Sequence, residues 1–259
     1  MSAIAPPVSV VRGSARWGRD YVSMLRWHLA SLRVWLSLLI VLQVAAGVGF
    51  VLGISLFFSS IPAGSVLFAA TGIPVINLLA VGMALGPQVV ASHKISGGYE
   101  YLRTTPVNHA ITAGAWYTVC LAGGVPAMIV SLGVAWLRYG VPLHVSLMIV
   151  PAVALTSFAG TMIGYAMAHA LASPMATTLV TQVLAFAVFG FAPILFPIAQ
   201  MPRWLGTLNW WLPFRHMAVV MRAALTTGSH PGVAVAYAML AAWSLLCAAL
   251  ALRALGHRG

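Results

Sequence analysis

The sequence predicts an all-α membrane protein: six transmembrane helices, an amphipathic interfacial helix before them, and short re-entrant or interfacial helices between spans five and six. Three observations predict it. Hydrophobic residues make up 61% of the chain and charged residues only 6%, against roughly 25% charged in soluble domains. The apolar runs are long and do not alternate, which excludes barrel strands and leaves the helix as the way to satisfy backbone amides in hydrocarbon. The charges also fall at spacings that leave room for whole spans between them.

Those spacings give the count. Apart from histidine, nothing ionisable at neutral pH lies between Arg33 and Lys94, Arg103 and Arg138, Arg138 and Arg203, or Arg222 and Arg253. A span takes about 20 residues. The first gap therefore holds two spans, divided at Ser59-Ser60-Ile61-Pro62-Ala63-Gly64, and the third holds two, divided near Ser173-Pro174. The second and fourth hold one each. The expected spans are 34–58, 65–91, 111–137, 145–170, 176–196 and 232–252, so the chain divides into a leading region, 1–33, and a transmembrane domain, 34–259.

Within 1–33, Tyr21, Met24, Leu25, His28 and Leu32 recur at helical spacing while Arg19, Arg26 and Arg33 lie elsewhere around the turn. That pattern predicts a basic amphipathic helix at the headgroup level, with Trp17, Trp27 and Trp35 as interface anchors. Pro74, Pro126 and Pro151 fall inside expected spans as sources of bends. Gly49-x-x-x-Gly53, Gly82-x-x-x-Gly86 and Gly160-x-x-x-Gly164 set small residues on one helix face and allow close backbone approach. Between spans five and six, residues 197–230 are rich in Trp and Leu and broken by Pro197, Pro202 and Pro213. Pieces that short cannot span.

Lysine and arginine set the orientation. The side shared by both termini and the 93–108 loop holds Arg12, Arg16, Arg19, Arg26, Arg33, Lys94, Arg103, Arg253 and Arg258. The other side holds Arg138, Arg203, Arg215 and Arg222. The excess places the termini and the loop in the cytoplasm, in a multi-pass protein of the plasma or inner membrane. Of the net charge of +11, most then reports topology and contact with anionic lipid, not nucleic acid.

Several chemistries lack their residues. The two acids, Asp20 and Glu100, flank membrane segments, so paired carboxylates cannot be assembled. The one lysine, Lys94, lies between His93 and Ile95, which excludes a phosphate-binding Gly-x-x-x-x-Gly-Lys-Ser/Thr loop. The eight histidines form no i, i+4 pair with another His or Cys, and no metal site is expected. Cys120 and Cys247 fall within spans and imply no disulfide framework. Polar groups inside the spans are neutral. Gln43, Asn77 and Gln182, with Phe186 and Phe189, are the candidates for lining a substrate path; for the amides, hydrogen bonding between helices is the alternative.

Two segments carry a family resemblance. The loop Lys94-Ile95-Ser96-Gly97-Gly98-Tyr99-Glu100-Tyr101-Leu102-Arg103-Thr104-Thr105-Pro106-Val107 is similar to the loop between spans two and three of type 2 (ABC-2-type) permease subunits of ATP-binding-cassette exporters. There a glycine, a glutamate three residues on, a leucine and a Thr-Pro-Val ending recur, matched by Gly97, Glu100, Leu102 and Thr105-Pro106-Val107. The second segment, Pro193-Ile194-Leu195-Phe196-Pro197 through Met201-Pro202-Arg203-Trp204-Leu205 to Pro213, His216 and Arg222, resembles the family's fifth span and the paired short helices after it. One departure is that His93 and Lys94 stand where the family often carries acids.

The resemblance implies a permease subunit without its own ATPase site. Two copies, or one copy and a homologue, would enclose a path for hydrophobic or amphipathic cargo such as a drug, lipid or glycan. A separate ATPase subunit would bind ATP and Mg, and the chain itself would need no cofactor. Gly97, Glu100, Tyr101, Leu102, Arg103, Thr105 and Pro106 would form the coupling helix that meets that ATPase. The alternative from another class is an ion-coupled secondary transporter acting alone, for which His169 is the one titratable candidate inside a span.

Overall fold

Among the described residues, six helices are long and apolar enough to cross a membrane. The computed structural model describes residues 14–57, 63–98, 107–171, 173–228 and 230–256. In chain order these hold α1 (Ser14–Ser31), α2 (Arg33–Phe57), α3 (Ala63–Leu79), a π-helical turn (Ala80–Leu85), α4 (Gly86–Ser96), α5 (His109–Tyr139), α6 (Ile149–Ala170), α7 (Pro174–Phe191), α8 (Arg203–Trp211), α9 (Pro213–Leu225) and α10 (Val233–Gly256). The second span is one continuous helix made of α3, the π-turn and α4. Its apolar window is 83% buried, against 17% for α2 and 22% each for α7 and α10. The first, third, fourth and fifth spans pack against it, while α10 packs on α6 and α9.

Two ends follow from the alternation of spans. At one, the α1 end, α4 and α6 finish and α5 begins. At the other, the α9 end, α3, α6 and α10 begin.

Observed boundaries depart from the expected ones for local reasons. The fourth span begins at Ile149 rather than 145 because the preceding backbone is committed elsewhere. The His144 and Ser146 N–H groups donate to the Leu225 and Ala224 carbonyls at the end of α9 (both 2.9 Å), supplying partners that a helix C-terminus otherwise lacks. The fifth span ends at Phe191, not 196, since Pro193 drives Ala192 into extended backbone (ψ 144°). The second span runs on to Ser96, where Gly97 closes it in the left-handed conformation (φ 79°). Pro151 falls in the first turn of α6, where a missing N–H costs nothing, so it is no source of an interior bend.

The π-turn has its own sequence cause. Pro87, next to Gly86, has no N–H to offer the carbonyl four residues back, and its ring crowds that carbonyl. The helix widens just ahead of it, with the Gly86 N–H reaching Val81 O, an i to i−5 bond. The widened turn meets α6 at its glycines. A Cβ on Gly164 would lie 2.3 Å from Gly82 O, and one on Gly82 would lie 2.7 Å from Thr161 N. Two of the three Gly-x-x-x-Gly patterns therefore meet each other at a backbone crossing. At the third, a Cβ on Gly49 or Gly53 would meet nothing within 4 Å among the described residues.

On α1, Met24 and His28 are buried, as is Leu32 just after it, while Arg16, Arg19 and Arg26 are exposed. It packs on α5, where Tyr21 Oη and Thr118 Oγ1 share a 2.5 Å hydrogen bond. The short helices α8 and α9 meet at Leu212. Trp243 lies roughly 15 Å along α10 at the usual rise per residue, and its Nε1 donates to Trp211 O (2.8 Å). The vertex of the α8–α9 pair thus turns back beside α10, away from the α9 end.

Candidate functional site

The expected coupling segment begins where α4 ends. Gly97 stands at that C-cap, exposed, and the chain turns there. Glu100, Tyr101, Leu102, Arg103, Thr105 and Pro106 lie outside the described residues. On the far side of the segment, Asn108 caps α5, its side-chain oxygen accepting from Ala110 N (2.9 Å). The segment is thus attached directly to the buried second span at one end and to α5, the helix that holds α1, at the other.

Lys94 fixes this attachment to a third helix. Its Nζ donates to Ala168 O (2.5 Å) and Leu171 O (2.7 Å), the last carbonyls of α6. A cation at a helix C-terminus satisfies groups without intrahelical partners and meets the negative end of the dipole. From the sequence, Lys94 reads as an orientation charge and as a departure from the family's acids, not as a helix cap. The available signal was a sole lysine facing a span that ends without a glycine cap.

Aromatic side chains tie α1 to the same place. The rings of Trp27 and His93 meet edge to face at 5.3 Å, and His28 packs between Trp27 (5.1 Å) and Trp116 of α5 (5.2 Å). His28 is 4% exposed. Burial, reinforced by nearby His93, pulls its pKa down from 6.5 to about 4. His169, the secondary-transport candidate, is buried at the end of α6, with Nδ1 2.8 Å from Tyr165 O and its ring against the Tyr165 ring.

At the α9 end a second junction forms around Arg222 of α9. Its guanidinium sits over the Phe68 ring (3.4 Å to the centroid) and donates to Ile194 O and to Pro193 O. Those carbonyls follow the proline break after α7. Gly72 of α3 leaves them room, since a Cβ there would lie 2.2 Å from Ile194 O. Arg222 is therefore a half-buried clamp between α9, the end of α7 and the second span. Asn209 of α8 donates to Phe191 O (3.0 Å) and His216 Nε2 contacts Trp210 O (2.9 Å). The prolines and polar residues of the second resemblance segment thus shape this junction.

The five path candidates do not converge within one chain. Asn77 is buried and donates from Nδ2 to Ser131 Oγ of α5 (3.0 Å). Gly47 of α2 lies against both, and a Cβ there would meet Ser131 Oγ at 2.1 Å. Gln43, also buried, is one turn from Gly47 on α2. Gln182 and Phe186 are exposed on the outward face of α7, Phe186 at 76%. Phe189 is partly buried against the core.

Among the described residues, six apolar helices, one of them the buried second span, with polar and aromatic junctions at both ends, define a multi-pass membrane protein. Residues 59–253 match the model of the ABC-2 family transporter proteins, and the chain belongs to that family. It is a transporter permease. Comparison with curated proteins finds none that matches it.

Proposed function

We propose that the chain is the membrane-spanning subunit of an ATP-driven exporter of hydrophobic or amphipathic compounds, with ATP and Mg bound by a separate ATPase subunit. The supporting observation is the position of the second span. This helix is buried, begins beneath the Arg222 clamp, contacts α5, α6 and α9, and ends at Gly97 where the coupling segment starts. A push on 97–106 by a partner enters the bundle along its axis. Lys94 couples the same push to α6 and His93 to α1. The π-turn, pressed against the Gly164 backbone, is where that axis has the loosest internal hydrogen-bond register.

A path needs a second subunit in this reading. Gln182 and Phe186 face outward, and α2 and α7 present exposed apolar faces, so a second copy or homologue would enclose them between the two. The termini and 97–106 would be cytoplasmic, consistent with the arginines exposed on α1. The membrane would be the plasma or inner membrane, and α1 would lie at its headgroup level.

Coexpression with an ABC-type ATPase encoded beside it tests the reading. A stable complex should purify, and Glu100→Ala should leave the complex intact while uncoupling hydrolysis from transport. A chain that never associates with an ATPase, and transports without ATP, overturns it.

A further inference from the structure

Between the end of α1, α2, the π-turn with α4, and α5 lies a cavity of about 440 Å³, within the roughly 300–1,000 Å³ of small-molecule sites. It is not the path discussed above, since none of Gln43, Asn77, Gln182, Phe186 and Phe189 lines it. Its walls are ordered along the membrane normal. From the bundle's middle towards the α1 end, the lining runs Leu42, Leu39 and Leu36 on the antiparallel α2, then Leu32 at the α1–α2 junction and Ser31, the last residue of α1. On the second span, in the same direction, it runs Val81, Leu85, Gln88 and then Ser92 and His93. The α1–α2 stretch and the second span, which run in opposite directions, therefore both change from apolar to polar at the same end. The third wall agrees, with Cys120 deeper and the Trp116 indole nearer the rim. Leu38 and Leu42 line the cavity yet are 58% and 60% exposed, so it opens sideways through the outer face of α2.

Small residues create the space. Gly86 lies beside Trp116, where a Cβ would come within 3.3 Å of Nε1. That indole N–H is buried and has no hydrogen-bond partner among the described residues. The π-turn forms the floor, displacing Val81 and Leu85 from the register of a regular helix.

We propose that this cavity holds one acyl chain of a membrane phospholipid from the leaflet at the α1 end. The tail lies along Leu36, Leu39 and Leu85, and the ester and headgroup region lies at Ser31, Ser92 and His93. The lateral mouth admits a chain from the bilayer, and the polar rim lies where a phospholipid of that leaflet carries its glycerol. Exposed Arg33, adjoining Leu32, lies on the headgroup side. The occupant is a resident lipid of the permease and is distinct from its cargo. Because it packs on the π-turn and on α1, it adds a lipid wedge between the interfacial helix and the central axis.

The test is photolabelling of the full chain in phosphatidylethanolamine–phosphatidylglycerol vesicles. One acyl chain of the phosphatidylglycerol carries a diazirine near its end, and adducts are mapped by peptide mass spectrometry. Adducts are expected at Val81, Leu85 or Leu42. Filling the cavity from either wall, by Val89→Trp or by Leu39→Trp, should lower those adducts roughly ten-fold or more, since losing even two buried methylenes weakens binding by that factor. Adducts elsewhere on the bundle surface should be unchanged, which shows that both variants are folded. Surface adducts without cavity adducts overturn the proposal, as do cavity adducts that persist in both filled variants. Cavity labelling by diazirine-palmitate but not by the phospholipid also overturns it, because the occupant would then be a free single-chain amphiphile.

Discussion

Gly164→Ala tests the helix crossing on which the central axis turns. The new methyl would stand 2.3 Å from Gly82 O and 3.0 Å from Met83 Cα, while ordinary contact begins at 3.4 Å. Both neighbours are backbone, so no rotamer change relieves the clash, and α6 must move from the π-turn by about 1 Å. Overpacking of this kind costs roughly 1–3 kcal/mol. Replacing glycine by alanine in a helix also gains up to about 1 kcal/mol of propensity, so a control must share that gain. Gly133→Ala on α5 does, because a Cβ there meets nothing within 4 Å. The expected difference between the two variants is therefore the clash alone. It should appear as a lower thermal midpoint for Gly164→Ala in detergent, by several degrees at about 2–4 °C per kcal/mol for a chain of this size. Equal midpoints for the two variants would refute the crossing.

Arg222→Met should destabilise the fold by roughly 2–4 kcal/mol, as the Pro193 and Ile194 carbonyls lose their donor. Arg222→Lys should recover only part of this because an ammonium keeps the charge but loses the planar guanidinium that lies over Phe68, and denaturant midpoints of the three proteins rank the effect. Lys94→Met should speed hydrogen exchange in the last turn of α6 by the loss of about 1–2 kcal/mol, with Lys94→Arg intermediate. For His28, the folded pKa of about 4 lies below the unfolded 6.5, so only the unfolded or undocked state takes up a proton between those values. The docking of α1 on α5 should be fully stable above pH 6.5 and lose roughly 3 kcal/mol as pH falls towards 4. Limited proteolysis of α1 against pH should show this loss, and His28→Gln should flatten it.

Helix identity and number were legible because hydrophobic length and charge spacing are properties of single segments. The helical spacing of Met24 and His28 was legible for the same reason, since it is set within one segment. What escaped depended on partners distant in sequence. Arg222 reads as a loop cation until Phe68, Pro193 and Ile194 surround it. Lys94 reads as a loop charge until the end of α6 comes within reach. The Gly-x-x-x-Gly patterns announced close packing, but only the fold separates the pair that cross from Gly49 and Gly53, where a Cβ would meet nothing within 4 Å among the described residues. Pro87 is the local signal for the π-turn, but a proline in an apolar run reads equally as a bend, as Pro74 and Pro126 do. Among the path candidates, Asn77 bonds within the chain while Gln182 and Phe186 face out of it. A single sequence cannot separate those roles, because both place a neutral side chain inside an apolar helix.

The most direct measurement of the coupling role is a cross-link at the segment that leaves the central axis. With Cys120 and Cys247 replaced by alanine, Leu102→Cys is expected to give a covalent adduct with a cysteine scanned across the membrane-facing surface of the coexpressed ATPase, and ATP should change its yield. A stable complex in which residues 97–106 never cross-link to the ATPase, while other parts of the chain do, would contradict it.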